Sequence, residues 1–167
     1  MSDVTIRHVE QADLPALLAI YNYYVAHTPV TFDVAPRTLA QRQTWLDGFA
    51  PTGRYQCFVA MKAGAPIGWS CSAPFKQKAA YETTAETSIY VAPAETERGL
   101  GRRLYETLFA ALAGEDLHRL YAGITVPNDA SVALHEKMGF RLVGTYDEVG
   151  RKFGRFWDVA WFARPFP

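Results

Sequence analysis

The chain has 167 residues, 49% of them hydrophobic and 20% charged, with 17 Lys plus Arg set against 17 Asp plus Glu. That length and balance fit one folded domain, 1–167, with a real core, and they exclude a disordered chain. A neutral chain has no global field to draw it to nucleic acid or to an anionic membrane, so any anion it holds must be met by local chemistry.

The opening MSDVTIRHVEQAD is polar and acidic, unlike a targeting peptide, and no apolar run reaches membrane-spanning length. The expected location is cytoplasmic. Val4 to Val9 reads as a first strand. Asp13 is placed to cap a helix carrying Leu14, Leu17, Leu18 and Tyr21, with Pro15 tolerated in its first turn. HTPVTFDVAPRT, with two prolines, reads as a loop, and Leu39 to Phe49 as a second helix. YQCFVAMK and PIGWSCSA form an antiparallel hairpin around AGAP. Cys57 and Cys71 lie within these apolar strands and read as buried small hydrophobes, not as a disulfide. The four histidines are scattered without zinc spacing, so no metal is expected. PFKQKAAYE is a loop.

Thr84 to Val91 is the next expected strand. Ala85, Thr87, Ile89 and Val91 fall on one face, and Glu86, Ser88 and Tyr90 on the other. After the loop APAETERG, a helix from Gly99 to about Ala113 carries the stripe Leu100, Leu104, Leu108, Leu112. Leu120 to Val126 follows as a strand parallel to the previous one, by a right-handed crossover. A helix from about Asn128 to Met138 stops at Gly139, and strands at about Arg141 to Glu148 and Phe156 to Ala163 close the chain. The fold class is α+β: a mixed, mostly antiparallel sheet with one central parallel pair, flanked by helices.

Two segments carry chemistry. In TERGLGRRL, Gly99 and Gly101 let the backbone approach a ligand at a helix start. The unpartnered first amides there suit a pyrophosphate, with Arg98, Arg102 and Arg103 adding charge. A P-loop is excluded because no Gly-Lys-Ser/Thr run exists, and a dinucleotide fingerprint because Leu104 stands where a third glycine belongs. In VPNDASVALHEKMGF, Asn128, Ser131 and His135 lie near one helix face. Both helices start beyond the carboxyl ends of the parallel strands, where crevices open. Each residue has a plainer reading: Asn128 as an N-cap, His135 as a helix-surface residue, Glu86 as a strand-surface residue.

SIYVAP, TERGLGRRL and VPNDASVALHEKMGF, in that order, resemble the GNAT acetyltransferase superfamily. Within it the chain is similar to the phosphinothricin N-acetyltransferase family, with IYNYYVAHTPVTFD, PFKQKAAYETTAE and GRKFGRFWDV extending the likeness over nearly all its length. The resemblance implies a GNAT-like sheet with a splayed parallel pair, acetyl-CoA as co-substrate, and usually a homodimer. It also implies acetyl transfer to small amino acids with a tetrahedral anionic or sulfoximine-type tail. Ile89, Tyr90 and Val91 would meet the acetyl and pantetheine part through the backbone. Glu97, Arg98, Gly99, Leu100, Gly101 and Arg102 would cradle the pyrophosphate, and Asn128 would bond the pantetheine arm. Glu86 and His135 match groups at the transfer site. Phe32, Phe75, Lys76, Lys78 and Tyr81 match positions around the amino-acid pocket. Two positions depart from the pattern: Thr96, where Gln or Arg is usual, and Lys78, where well-known members carry arginine.

An amine attacks a thioester only when unprotonated, and free amino groups are largely charged near neutrality. Glu86 is therefore the expected general base, a backbone amide near Tyr90 or Val91 the expected oxyanion donor, and His135 a group that protonates the thiolate or positions the amine. Two alternatives stand beside this reading: acetyl transfer to protein N-termini or polyamines, and a non-catalytic acyl-CoA-binding sensor.

Overall fold

The computed structural model describes residues 4–95 and 98–167. Its strands are β1 (Thr5–His8), β2 (Cys57–Lys62), β3 (Ala65–Pro74), β4 (Thr84–Val91), β5 (Arg119–Val126), β6 (Arg141–Lys152) and β7 (Arg155–Pro165). Its helices are α1 (Leu14–His27), α2 (Leu39–Leu46), α3 (Leu100–Leu112) and α4 (Asp129–Lys137), with short 3-10 turns at Gln11–Asp13 and Ala79–Tyr81. The strands form one sheet in the order β1-β2-β3-β4-β5-β7-β6. Every neighbouring pair is antiparallel except β4 with β5.

That parallel pair is short. Its register runs Thr84↔Arg119, Ala85↔Leu120, Glu86↔Tyr121 and then stops, although both strands continue. β4 stays paired to β3 as far as Gly68↔Val91, and β5 stays paired to β7 as far as Val126↔Asp158. The sheet therefore splits into two halves beyond Glu86. The β5-facing backbone groups of β4 lose their sheet partners there, and buried groups of that kind require others.

Two cores clamp the halves. On one face the α3 stripe Leu100, Leu104, Leu108 and Leu112 is buried, and Tyr105, Phe109, Leu120, Phe140 and Phe162 pack with it. A fully buried leucine contributes roughly 1.5–3 kcal/mol. On the other face α1 and α2 cover Leu17, Ile20, Val59, Trp69 and both cysteines, which are free and buried. The Arg42 guanidinium lies within this second core, 3.4 Å from the Trp45 ring centroid and 4.8 Å from that of Trp69.

Three boundaries differ from the sequence expectation. Asp13 precedes α1 but makes no side-chain cap there. Its carboxylate instead takes two 2.8 Å bonds from Arg7 and one from the Glu10 amide. An arginine competes better for a carboxylate than a helix amide does. The last two strands run longer than expected, because their hairpin needs only Phe153 and Gly154, both at positive φ, to reverse the chain. α2 ends at Leu46 rather than Phe49.

Candidate functional site

The split between β4 and β5 opens a cleft of about 340 Å³. Ser88 to Val91 form one wall and Gly123 to Thr125 the other. Gly101 and Tyr105 of α3, with Asn128, Ser131, Leu134 and His135 at α4, close it on one face of the sheet, while Tyr24 and Val30 reach it from the other. The cleft therefore passes through the sheet and gives a ligand on the α3–α4 face access to the α1 face.

The phosphate-binding turn lies at one lip. Gly99 adopts φ +80, a left-handed conformation that side chains disfavour. The first intrahelical bond runs from the Arg103 amide to the Gly99 carbonyl, so the amides of Leu100, Gly101 and Arg102 have no acceptor within the helix. The Leu100 side chain is buried, so only its backbone can serve a ligand. A Cβ on Gly101 would stand 2.9 Å from Leu134 Cδ2 and 3.5 Å from Ile89 Cδ1, in the cleft itself. The arginines divide: Arg102 pairs with Glu106 at 2.7 Å, Arg103 donates to the Val4 carbonyl, and Arg98 is exposed. Thr96 and Glu97 lie outside the described residues.

Asn128 is the N-cap of α4, its Oδ1 accepting from the Ser131 amide at 3.2 Å. The cap uses the carbonyl, which leaves the two amide N–H donors as the part able to serve a ligand. His135 lines the cleft but is only 3% exposed. Its Nδ1 lies 2.8 Å from the Ser131 carbonyl, which can only accept, so Nδ1 carries the hydrogen. Nε2 is then the acceptor for the Tyr105 hydroxyl at 2.9 Å. Burial lowers its pKa, opposed by the bond to Ser131. That shift favours the neutral imidazole, and both nitrogens are engaged. Opposite it, the Tyr24 hydroxyl donates to the Val91 carbonyl at 2.6 Å, and the Tyr90 ring stacks on Trp69 at 4.9 Å.

Glu86 is the last β4 residue paired to β5, at the foot of the split. It is half-buried, and burial raises its pKa, with Lys76 opposing. Around it stands an aromatic cluster. Phe75 stacks on Tyr121, the register partner of Glu86, at 4.7 Å, and meets Tyr81 at 5.8 Å and Trp161 at 6.0 Å. Phe75 and Tyr81 were singled out from the sequence; Tyr121 and Trp161 were not. Strand alternation carried the signal for Tyr121, since Leu120 and Ala122 are core and leave it on the Glu86 face. Trp161 faces Gly123 across β5 and β7, a pairing no local pattern reveals. Lys76 and Lys78 are exposed, and Lys76 Nζ stands 5.3 Å from the Phe75 ring centroid. Phe32, 37% exposed, lies on the loop after α1, and its ring packs on the backbone of Gly150 in β6 rather than on the Phe75 cluster. No group of three or more potential metal ligands occurs among the described residues.

This arrangement can lay a thioester through the split and present it to an amine beside Glu86. Comparison with known proteins gives the family. The acetyltransferase (GNAT) domain family matches residues 6–161. The chain is 51% identical, over 98% of its length and 97% of the relative's, to a phosphinothricin N-acetyltransferase of Streptomyces coelicolor. It is 36% identical, over 93% of its length and 90% of the relative's, to an L-methionine sulfoximine/L-methionine sulfone acetyltransferase of Pseudomonas paraeruginosa. A GNAT superfamily phosphinothricin acetyltransferase from Sinorhizobium meliloti, solved in complex with acetyl-CoA, superposes with a TM-score of 0.90 at 30% identity, covering 99% of this chain and 89% of that one.

Proposed function

The chain belongs to the GNAT acetyltransferase family and uses acetyl-CoA, and from that premise we propose that it acetylates the α-amino group of a small amino acid such as L-phosphinothricin or methionine sulfoximine. The observation that carries this reading is the through-sheet cleft with Glu86 at its foot, bordered by Phe75, Tyr121 and Trp161. The names of the relatives support the same substrate class.

The pyrophosphate sits at Arg98 to Arg102, where helix amides and the dipole favour an anion. The pantetheine arm runs between β4 and β5 past Asn128. Glu86 takes a proton from the substrate ammonium through a bridging water; its raised pKa makes it a better base than an ordinary carboxylate. The free amine attacks the thioester carbonyl carbon. The oxyanion is held by an unpaired backbone amide of β4 near Tyr90 or Val91. The C–S bond then breaks, the nitrogen gives up its second proton to water, and the thiolate takes up that proton through the water. His135 has no free proton to give, so we assign it the positioning of α4 against α3 through Tyr105. Alignment of two bound substrates supplies much of the rate, without a covalent acetyl-enzyme.

We further propose that residues 1–167 act as one catalytic domain in the cytoplasm, as a homodimer. The edge strand β6 leaves Leu142, Val143, Tyr146 and Val149 exposed, and a second copy laid there would cover an apolar edge that solvent disfavours. Free-thiol release from acetyl-CoA across a panel of amino acids tests the activity, with spermidine and a short peptide as competitors. Preference for either competitor over both amino acids overturns the substrate assignment.

A further inference from the structure

We propose that Gly150 and Lys152, on the β6–β7 hairpin, are positioning residues that fix Phe32 and its loop as a rigid wall of the acceptor pocket, and so set which amino-acid tails fit. The inference rests on the proposed function, because it takes the cleft that Val30 lines as the way to the acceptor.

The wall is residues 28–38, between α1 and α2. Val30 within it lines the cleft. Its own elements hold it only in part: the Tyr21 hydroxyl lies 2.8 Å from Thr31 Oγ1 and donates to Asp33 Oδ2 at 2.7 Å, and Arg37 donates to the same carboxylate at 2.6 Å. The first two contacts come from α1, and the third lies within the loop. The side away from α1 is held by the hairpin. Lys152, 5% exposed, donates its ammonium to the Thr31 carbonyl at 2.8 Å. The ammonium also faces the Asp33 carboxylate of the same loop and lies 5.1 Å from the Phe153 ring centroid, so it ties the loop to the hairpin at more than one point.

Gly150 supplies the second anchor. It is absent from the positive-φ residues, so its backbone does not require glycine. The ring of Phe32 does. A Cβ at Gly150 would fall within the Phe32 ring, well short of any permitted contact, with three ring carbons as its nearest neighbours. A phenyl ring and a β-strand backbone cannot both yield cheaply, so any side chain at 150 expels Phe32 from its seat. Because Phe32 follows Val30 by two residues, its displacement moves a cleft wall while leaving the phosphate turn, α3 and α4 untouched.

The test is a mutant cycle on acceptor kinetics. Gly150→Ala is expected to raise the acceptor KM about tenfold while kcat and the acetyl-CoA Kd stay within about threefold, the pattern of lost ground-state positioning. Phe32→Ala should raise KM comparably. The double variant should be no worse than Phe32→Ala, because alanine at 150 has nothing left to displace. Lys152→Met should repeat the KM effect, and Lys152→Arg should restore part of it. Hydrogen exchange of residues 28–38 should accelerate in Gly150→Ala and Lys152→Met without any substrate present. Additive losses in the double variant, an unchanged KM in Gly150→Ala, or unchanged exchange of the loop each overturn the inference. A wild-type protein that acetylates no amino acid but does acetylate another amine defeats the substrate reading instead, and the exchange measurement then still judges the wall.

Discussion

Replacing Glu86 with glutamine removes the proposed base and keeps its shape. Ser88, the first cleft residue on the same strand face, lies two residues further along β4, about 6.6 Å at roughly 3.3 Å per residue. A carboxylate at that remove reaches the reacting amine through one water rather than directly. General-base assistance is worth roughly 10²–10⁴-fold, and a water-bridged base belongs in the lower half. The expected loss in kcat is therefore about 10²–10³-fold, or roughly 3–4 kcal/mol of barrier. The assay is thiol release at saturating acetyl-CoA from pH 6 to pH 9. Wild-type activity should fall on the acid side through a pKa above the ordinary glutamate value, because burial raises that of Glu86. The variant should lack that limb and climb with pH as the solvent deprotonates the amine. Its melting temperature should not drop, since glutamine has no buried charge to desolvate. A loss under threefold at pH 7, with acetyl-CoA affinity intact, would refute the role.

Gly101→Val should weaken acetyl-CoA binding by calorimetry at least tenfold, because its side chain would occupy the cleft against Leu134 and Ile89. His135→Phe should destabilise the fold by about 1 kcal/mol, because the buried Tyr105 hydroxyl loses its bond to Nε2 and keeps only Thr87 as a side-chain partner. The imidazole pKa is lowered on folding from 6.5, so its stabilisation is complete above that value and declines as pH falls toward the folded one. The difference in melting temperature between wild type and His135→Phe should accordingly narrow from pH 8 to pH 5. Asp13→Asn should cost about 3 kcal/mol in urea unfolding at pH 7, because it leaves Arg7 without its buried carboxylate. Burial alone would raise the Asp13 pKa, but the bonds from Arg7 and the Glu10 amide hold it below 3.8, so the loss should be full above that value and fade only as pH falls through the depressed one.

Much of the sheet was legible because its signals are local. Period-two alternation placed Ala85 and Leu120 inside and Glu86 outside, and the leucines of α3 repeated at helical spacing. The phosphate turn was legible for the same reason, since two glycines and a helix start are neighbours in sequence. The aromatic wall beside Glu86 was legible only in part. Phe75 and Tyr81 sit in one loop, whereas Tyr121 and Trp161 join them through strand pairings. The state of His135 was hidden as well, because its partner Tyr105 lies thirty residues away on another helix. Phe32 and Gly150 meet across the whole chain, and nothing local to either residue announces the contact.

Acetyl transfer through the split sheet should favour a small amino acid over a polyamine or a peptide. The most direct measurement is the catalytic efficiency of thiol release from acetyl-CoA with L-phosphinothricin and methionine sulfoximine, set against spermidine and a short peptide with a free N-terminus. At least one of the two amino acids should exceed both competitors by tenfold or more, and mass spectrometry should find the acetyl group on its α-nitrogen. Thiol release that is faster with spermidine or the peptide than with either amino acid would contradict it.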